Sequence, residues 1–268
     1  MPTATSADGT RIAYDRAGSG PAVILIGGAT ATRGLNVPLT EALSEHFTVL
    51  NYDRRGRGDS DDRSAPSAFD VERELEDLAA LIEAGGGVAH LFGISSGGAL
   101  ALEAASAGLP VAKVAVYEVP YNLAPEQPGI HREYVRTLGG QLAEGRQGDM
   151  MATFLRTVGA PDEAVEQMRQ SPMWPAFEAV APTLLYDAAA LGTGQPDPAR
   201  LAQIKAPLRV ITGLPGDEHE VGGVEFFESA ARAIVAAVPG SDHVRLPGQT
   251  HDVAAEAIAP LLVDFYTR

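Results

Sequence analysis

Residues 88–107 read VAHLFGISSGGALALEAASA, and this stretch decides the fold. Val88–Phe92 has the short apolar make-up of a strand, and Gly97–Ala107 the spacing of an alanine-rich helix. Between them Gly93-Ile94-Ser95-Ser96-Gly97 fits G-x-S-x-G in the strand–turn–helix setting that gives the motif meaning. Outside that setting the same five residues are only a glycine-rich turn. On a sharp strand-to-helix turn the backbone is strained, and side chains at the flanking positions would clash. The bend lifts the serine oxygen above the carboxyl edge of the sheet, and the helix N-terminus behind it favours developing negative charge. Ser95 is the candidate nucleophile, because it alone has glycine two positions away on both sides.

A serine hydroxyl needs a base within hydrogen-bond reach. Of six histidines, His251 fits best, since it follows the last strand-like run in Pro247-Gly248-Gln249-Thr250-His251 and precedes the final helical pattern. Asp252 is the expected cap of that helix. His90 lies inside a strand and reads as a core or rim residue, whereas His46 and His131 sit in helical contexts and read as solvated. His243 begins a strand. His219, in Asp217-Glu218-His219-Glu220, reads as part of a charged loop rather than a metal cluster.

Two acids compete to orient the imidazole, and both keep the chain order serine, acid, histidine. Glu118 ends an apolar strand, where a carboxylate needs a partner. Asp217 lies in a solvated run of charges. Glu118 is preferred and Asp217 stays open. The oxyanion of an acyl transfer needs two donors. The candidates are the backbone N–H of Ser96 and that of Ala29, in the Gly27-Gly28-Ala29 loop. Asp53-Arg54-Arg55-Gly56-Arg57-Gly58-Asp59-Ser60 lacks the spacing of a phosphate loop and reads as a structural turn.

Outward from this centre, apolar strand runs alternate with helical patterns. Arg11–Ala17, Val23–Ile26, Phe47–Tyr52, Lys113–Val119, Leu208–Thr212 and Val244–Leu246 read as strands. Val71–Glu83 and Ala254–Phe265 read as helices, with Pro260 expected to bend or break the second. Continuous apolar strands alternating with helices predict an α/β fold, a mostly parallel twisted sheet covered by helices on both faces. The rhythm stops between Tyr121 and Pro207, where helical patterns occupy His131–Leu142, Met150–Val158, Glu163–Arg169 and Phe177–Leu191. The predicted organisation is a main domain of residues 1–120 and 207–268 with a helical insertion over 121–206. Gly192–Pro198 serves as the return linker.

Composition narrows the partners. The 268 residues are 45% hydrophobic, enough for a large core. Thirty-five acids against 20 bases give a net charge of −15, which disfavours nucleic acid and anionic membranes. The chain has no cysteine, so disulfides, thiolate metal sites and a cysteine nucleophile are excluded. No secretory pattern opens it, and runs such as Ala22–Ile26 are far short of a membrane span. The expectation is a cytoplasmic protein with a small-molecule substrate, no metal or cofactor, and a homodimer left open.

Taken together, these motifs resemble the α/β-hydrolase superfamily over nearly the whole chain. The resemblance rests on Gly27-Gly28, Asp53–Ser60, Gly93–Gly97 and the late His251. It implies that 121–206 is a helical cap between strands six and seven. Gly93–Gly98 and Glu118 are similar to the elbow and acid of the zearalenone-lactonase-like subset, where a glutamate after strand six completes the triad. The resemblance implies a serine hydrolase cleaving an ester or lactone of a small, fairly apolar substrate. A non-hydrolytic receptor or lyase using the same pocket is the alternative. Gly28, Tyr121, Met173, Trp174, Phe177 and Tyr186 are the candidate substrate contacts.

Overall fold

The computed structural model describes residues 2–64, 69–215 and 221–268, with side chains omitted at 221 and 222. Among these residues the strands are β1 (Thr3–Thr5), β2 (Arg11–Ala17), β3 (Ala22–Ile26), β4 (Thr48–Tyr52), β5 (Ala89–Ile94), β6 (Val111–Tyr117), β7 (Leu208–Leu214) and β8 (Asp242–Pro247). The helices are α1 (Val37–Ser44), α2 (Val71–Gly85), α3 (Ser96–Ser106), α4 (Gln127–Ala143), α5 (Gln147–Thr157), α6 (Asp162–Arg169), α7 (Trp174–Val180), α8 (Leu184–Ala190), α9 (Pro198–Leu201), α10 (Val221–Ala237) and α11 (Ala255–Thr267). One sheet runs in the order β1-β2-β4-β3-β5-β6-β7-β8. Its first two pairings are antiparallel and all the rest parallel.

Alternation along each strand explains the two layers. Ile24, Ile26, Leu50 and Leu91 join an apolar cluster with Leu78 and Leu81 of α2, Leu100 of α3 and Ile234 of α10. Val23, Leu25, Val49 and Phe92 point the other way, to Leu39 and Leu43 of α1 and Ile258 and Leu262 of α11. Both faces are apolar, so the central strands read as unbroken hydrophobic runs. A leucine fully withdrawn from water in such a layer contributes about 1.5–3 kcal/mol.

Helices α4 to α9 lie between β6 and β7, and α4 to α8 close over their own core of Leu138, Met150, Met151, Val165, Trp174 and Leu184, while Leu201 of α9 joins the main-sheet cluster. Ala29 and Phe69 of the main sheet's loops pack against that core. The insertion is therefore seated on the loop that follows β3. Among the described residues no helix is long and apolar enough to cross a membrane.

Several local expectations change. The pattern over Phe177–Leu191 is two helices, because Pro182 occupies the tight turn Ala181–Thr183 between α7 and α8 and has no N–H to continue the ladder. Pro260 does not break α11: it and Glu256, whose carbonyl it cannot serve as a donor, face solvent. Helices α1 and α10 lie beyond those the spacing predicted. The first offers only the Leu39/Leu43 pair as an apolar repeat, and the second opens on Gly222-Gly223. His131 is buried rather than solvated, with Nε2 3.1 Å from the Ala188 carbonyl.

Candidate active site

Strand register places the central residues. Ile94 pairs with Tyr117 at the carboxyl ends of β5 and β6, so Ser95 and Glu118 leave the sheet side by side. Tyr117 pairs with Ile211, which brings Gly213 of β7 to the same edge. The Ser95 N–H donates to the Tyr117 carbonyl at 2.9 Å, and the Glu118 N–H donates to that of Ile211 at 3.0 Å.

The turn at Ser95 is as tight as its glycines imply. A Cβ on Gly93 would lie 2.3 Å from the Gly97 carbonyl oxygen, and one on Gly97 2.3 Å from that of Ile26. Only hydrogen fits at either place. Ser95 has φ 56° and ψ −125°, a strained conformation for a residue with a side chain. Among the described residues, the non-glycine positive φ values fall at Thr30, Ser95 and Glu118. They sit in the β3 loop, at the elbow and just past β6, so backbone strain collects around one place.

His251 Nδ1 lies 2.7 Å from Glu118 Oε2, and Glu118 Oε1 accepts from the Gly213 N–H at 2.9 Å. A carboxylate oxygen accepts, so Nδ1 is the ring nitrogen placed to donate to Glu118. Glu118 is buried, whereas the His251 side chain keeps 44% of its exposure. Two further residues steady the imidazole. The Tyr117 hydroxyl donates to the Thr250 carbonyl at 2.5 Å, tying down the loop that carries the ring. Burial, and next the charge of Glu118, push this phenol up, so it remains a donor. Phe227 of α10 stacks on the ring at 5.1 Å and 9°. Neither residue has a sequence signal: Tyr117 reads as strand, and Phe227 lies in α10, a helix the spacing did not predict. Asp252 does not cap α11. The N-cap is Ala254, and its N–H donates to Gln249 Oε1 at 2.9 Å.

The β3 loop reaches the elbow directly. A Cβ on Gly28 would stand 3.2 Å from Ser95 Cβ. Behind it lies a buried ionic cluster drawn from Asp53–Ser60. Arg54 bonds Glu74 through two nitrogens at 2.6 Å each, and its Nη1 donates to Asp187 Oδ1 at 2.6 Å and the Gly27 carbonyl at 3.2 Å. Arg57 donates to Asp187 Oδ2 at 2.8 Å and to the Gly28 carbonyl at 2.7 Å. The Ser96 hydroxyl donates to Asp187 Oδ1 at 2.7 Å. Burial pushes the Asp187 carboxyl up, but Arg57, Arg54 and the Ser96 hydroxyl outweigh it and hold it below the carboxylate range. The segment that reads as a structural turn is thus a seam between sheet and insertion.

The aromatic candidates are dispersed. Trp174 and Phe177 belong to the insertion's own core, and Trp174 Nε1 donates to Glu178 at 2.9 Å. Tyr186 is buried against Phe69 and donates to Asp62 at 3.1 Å. Tyr121 is buried in the layer with α3, while Met173 is exposed. A cavity of about 880 Å³ lies between α4 and α8, with Phe69, His131, Val135, Leu142 and Leu185 in its wall. Ser95, His251 and these aromatic candidates are not among its described lining residues. Asp217, the competing acid, and His219 lie outside the described residues. Among the described residues no group of three or more His, Asp or Glu is arranged to hold a metal.

Known proteins share this architecture. An alpha/beta hydrolase from Sphaerobacter thermophilus is 47% identical, with 99% of this chain and 100% of that one covered and a TM-score of 0.85. The enol-lactonase from Burkholderia xenovorans LB400 is 22% identical over the full length of both chains, with a TM-score of 0.67. A thermophilic esterase from Thermogutta terrifontis is 22% identical over 99% of this chain and 97% of that one, at 0.71. These last two likenesses show the fold alone. The model of the Alpha/beta hydrolase family matches residues 23–257, and on that match and the 47% identity the chain belongs to the alpha/beta hydrolase family.

Proposed function

We propose that the protein is a serine hydrolase acting on carboxylic esters or lactones of small, fairly apolar molecules, with no cofactor. The observation that carries the reading is the Glu118–His251 pair at 2.7 Å beside the strained Ser95 turn. Esterase and enol-lactonase activities among relatives of the same fold support it.

In this reading Ser95 Oγ attacks the substrate carbonyl while His251 Nε2 takes its proton. Glu118 fixes the tautomer and balances the imidazolium charge. The N–H groups of Ser96 and Ala29 receive the oxyanion, where one donor is worth roughly 10²–10³ in rate. His251 then protonates the departing alkoxide. A water, deprotonated by the same imidazole, releases the acyl group from Ser95. The insertion over 121–206 acts as the cap above this edge. Gly28, where an added Cβ would stand 3.2 Å from Ser95 Cβ, is the proposed substrate contact beside the nucleophile.

The test is labelling by a fluorophosphonate together with turnover of p-nitrophenyl esters. Rapid labelling of Ser95 with multiple turnovers, both abolished by Ser95→Ala, is the expected result. Labelling followed by a single turnover would favour a ligand receptor, and near-wild-type turnover by Ser95→Ala would end the serine mechanism.

A further inference from the structure

We propose that Asp187, on helix α8 of the insertion, is a positioning residue that aims the oxyanion donors through Arg57 and Ser96. The inference rests on the serine-hydrolase reading above. Its basis is the planarity of the peptide unit. The Gly28 carbonyl and the Ala29 N–H belong to one trans peptide, so they point in opposite directions. Whatever holds the carbonyl therefore aims the N–H.

Arg57 Nη1 holds that carbonyl at 2.7 Å, and Arg57 Nη2 is held by Asp187 Oδ2 at 2.8 Å. The preceding carbonyl, of Gly27, receives Arg54 Nη1 at 3.2 Å, and the same nitrogen bonds Asp187 Oδ1 at 2.6 Å. The second donor is governed from the same carboxylate, because the Ser96 hydroxyl donates to Asp187 Oδ1 at 2.7 Å and Ser96 opens α3. One side chain thus grips both walls of the oxyanion site, the β3 loop and the nucleophile turn, from an element that belongs to neither. Ala29 itself packs on the apolar core of the insertion, which closes the same seam a second way.

Charge explains why the grip is stiff. Arg54, Arg57 and Asp187 are buried, as is Glu74 opposite Arg54, so two cations face two anions with almost no water to compete. A guanidinium in that setting has its orientation set by its carboxylate partners. Seating α8 completes the set, and so the oxyanion geometry depends on the insertion being docked.

The experiment compares Asp187→Asn, Ser96→Ala and a control, Asp77→Asn. Asp77 holds the neighbouring buried Arg55 at 2.6 Å and is absent from the seam around Gly27, Gly28 and Ser96. Each full-length variant is assayed for the rate of fluorophosphonate labelling, for kcat and KM with p-nitrophenyl acetate, and for melting temperature. Asp187→Asn is expected to slow labelling and kcat about 10- to 100-fold with KM within about threefold. Ser96→Ala is expected to slow both by about 3- to 10-fold. Asp77→Asn should lower the melting temperature while labelling stays near wild type. A folded Asp187→Asn labelled at the wild-type rate would overturn the proposal. So would losses in Asp187→Asn and Asp77→Asn that simply track melting temperature. Should Asp187→Asn not fold, Ser96→Ala decides, and a wild-type labelling rate there rejects the role. A wild-type protein that never labels would instead remove the reading beneath the inference, and the inference with it.

Discussion

Glu118 Oε2 and His251 Nδ1 stand 2.7 Å apart although 133 positions separate them in the chain. The carboxylate is also fixed from behind by the Gly213 N–H, so it meets the ring from one direction.

Replacing the carboxylate tests its role. Glu118→Gln turns an acceptor into an amide that can offer Nδ1 a donor, which favours the wrong tautomer. Ester turnover is expected to fall about 10²- to 10⁴-fold in kcat with little change in KM. Steady-state kinetics beside Asp217→Asn check this. A larger loss for Asp217→Asn would move the acid role to that residue.

Strain at Ser95 makes a stability prediction that is separate from activity. Its φ of 56° suits glycine and penalises any Cβ. Ser95→Gly and Ser95→Ala both delete the hydroxyl and should both lose turnover by several orders of magnitude. Ser95→Gly should be the more stable of the two by about 1–3 kcal/mol. Thermal melts of the pair decide it, and equal melting temperatures would show that the turn carries no strain.

The stacked ring of Phe227 predicts a positioning effect on His251. Phe227→Ala should allow this 44%-exposed side chain to leave its place. The expected cost is about tenfold in kcat, since small misplacements of reacting groups cost one to two decades. Phe227→Tyr keeps the stack and should recover most of the rate. Kinetics of the two variants side by side provide the check.

His90 gives the fold a pH dependence away from the site. It is buried between the rings of Phe47 and Tyr266, and burial, followed by the charge of Lys113, lowers its pKa from 6.5 to about 4. Between those values the unfolded chain binds a proton that the folded chain refuses. Stability therefore falls as pH drops from about 6.5 towards 4, and this contribution is complete above 6.5. His90→Leu should flatten that part of a melting-temperature series. An unchanged slope would assign it to other groups.

The sheet was legible in the chain because its central strands are apolar on both sides. Val23–Ile26 has no polar position that solvent would accept, and such runs between helical repeats have few places to go. The turn around Ser95 was legible for a steric reason: glycines at 93 and 97 are where a Cβ would strike backbone. Helix ends were less so. Pro260 sits on a solvent face that tolerates a missing hydrogen bond, while Pro182 divides a pattern that looked continuous.

What the sequence determined by itself was the layered sheet and the strained turn at Ser95, since each is written in local periodicity and local sterics. What only the tertiary structure decided was which groups touch. Glu118 reaches His251 because parallel register carries the ends of β6, β7 and β8 to one edge, and Asp187 joins Arg54, Arg57 and Ser96 because α8 folds back across that edge. The partners of Asp187 lie 91 to 133 positions away, and no spacing rule spans such a distance. Burial made those contacts specific, because charges removed from water must find opposite charges wherever the packing of the whole chain has left them.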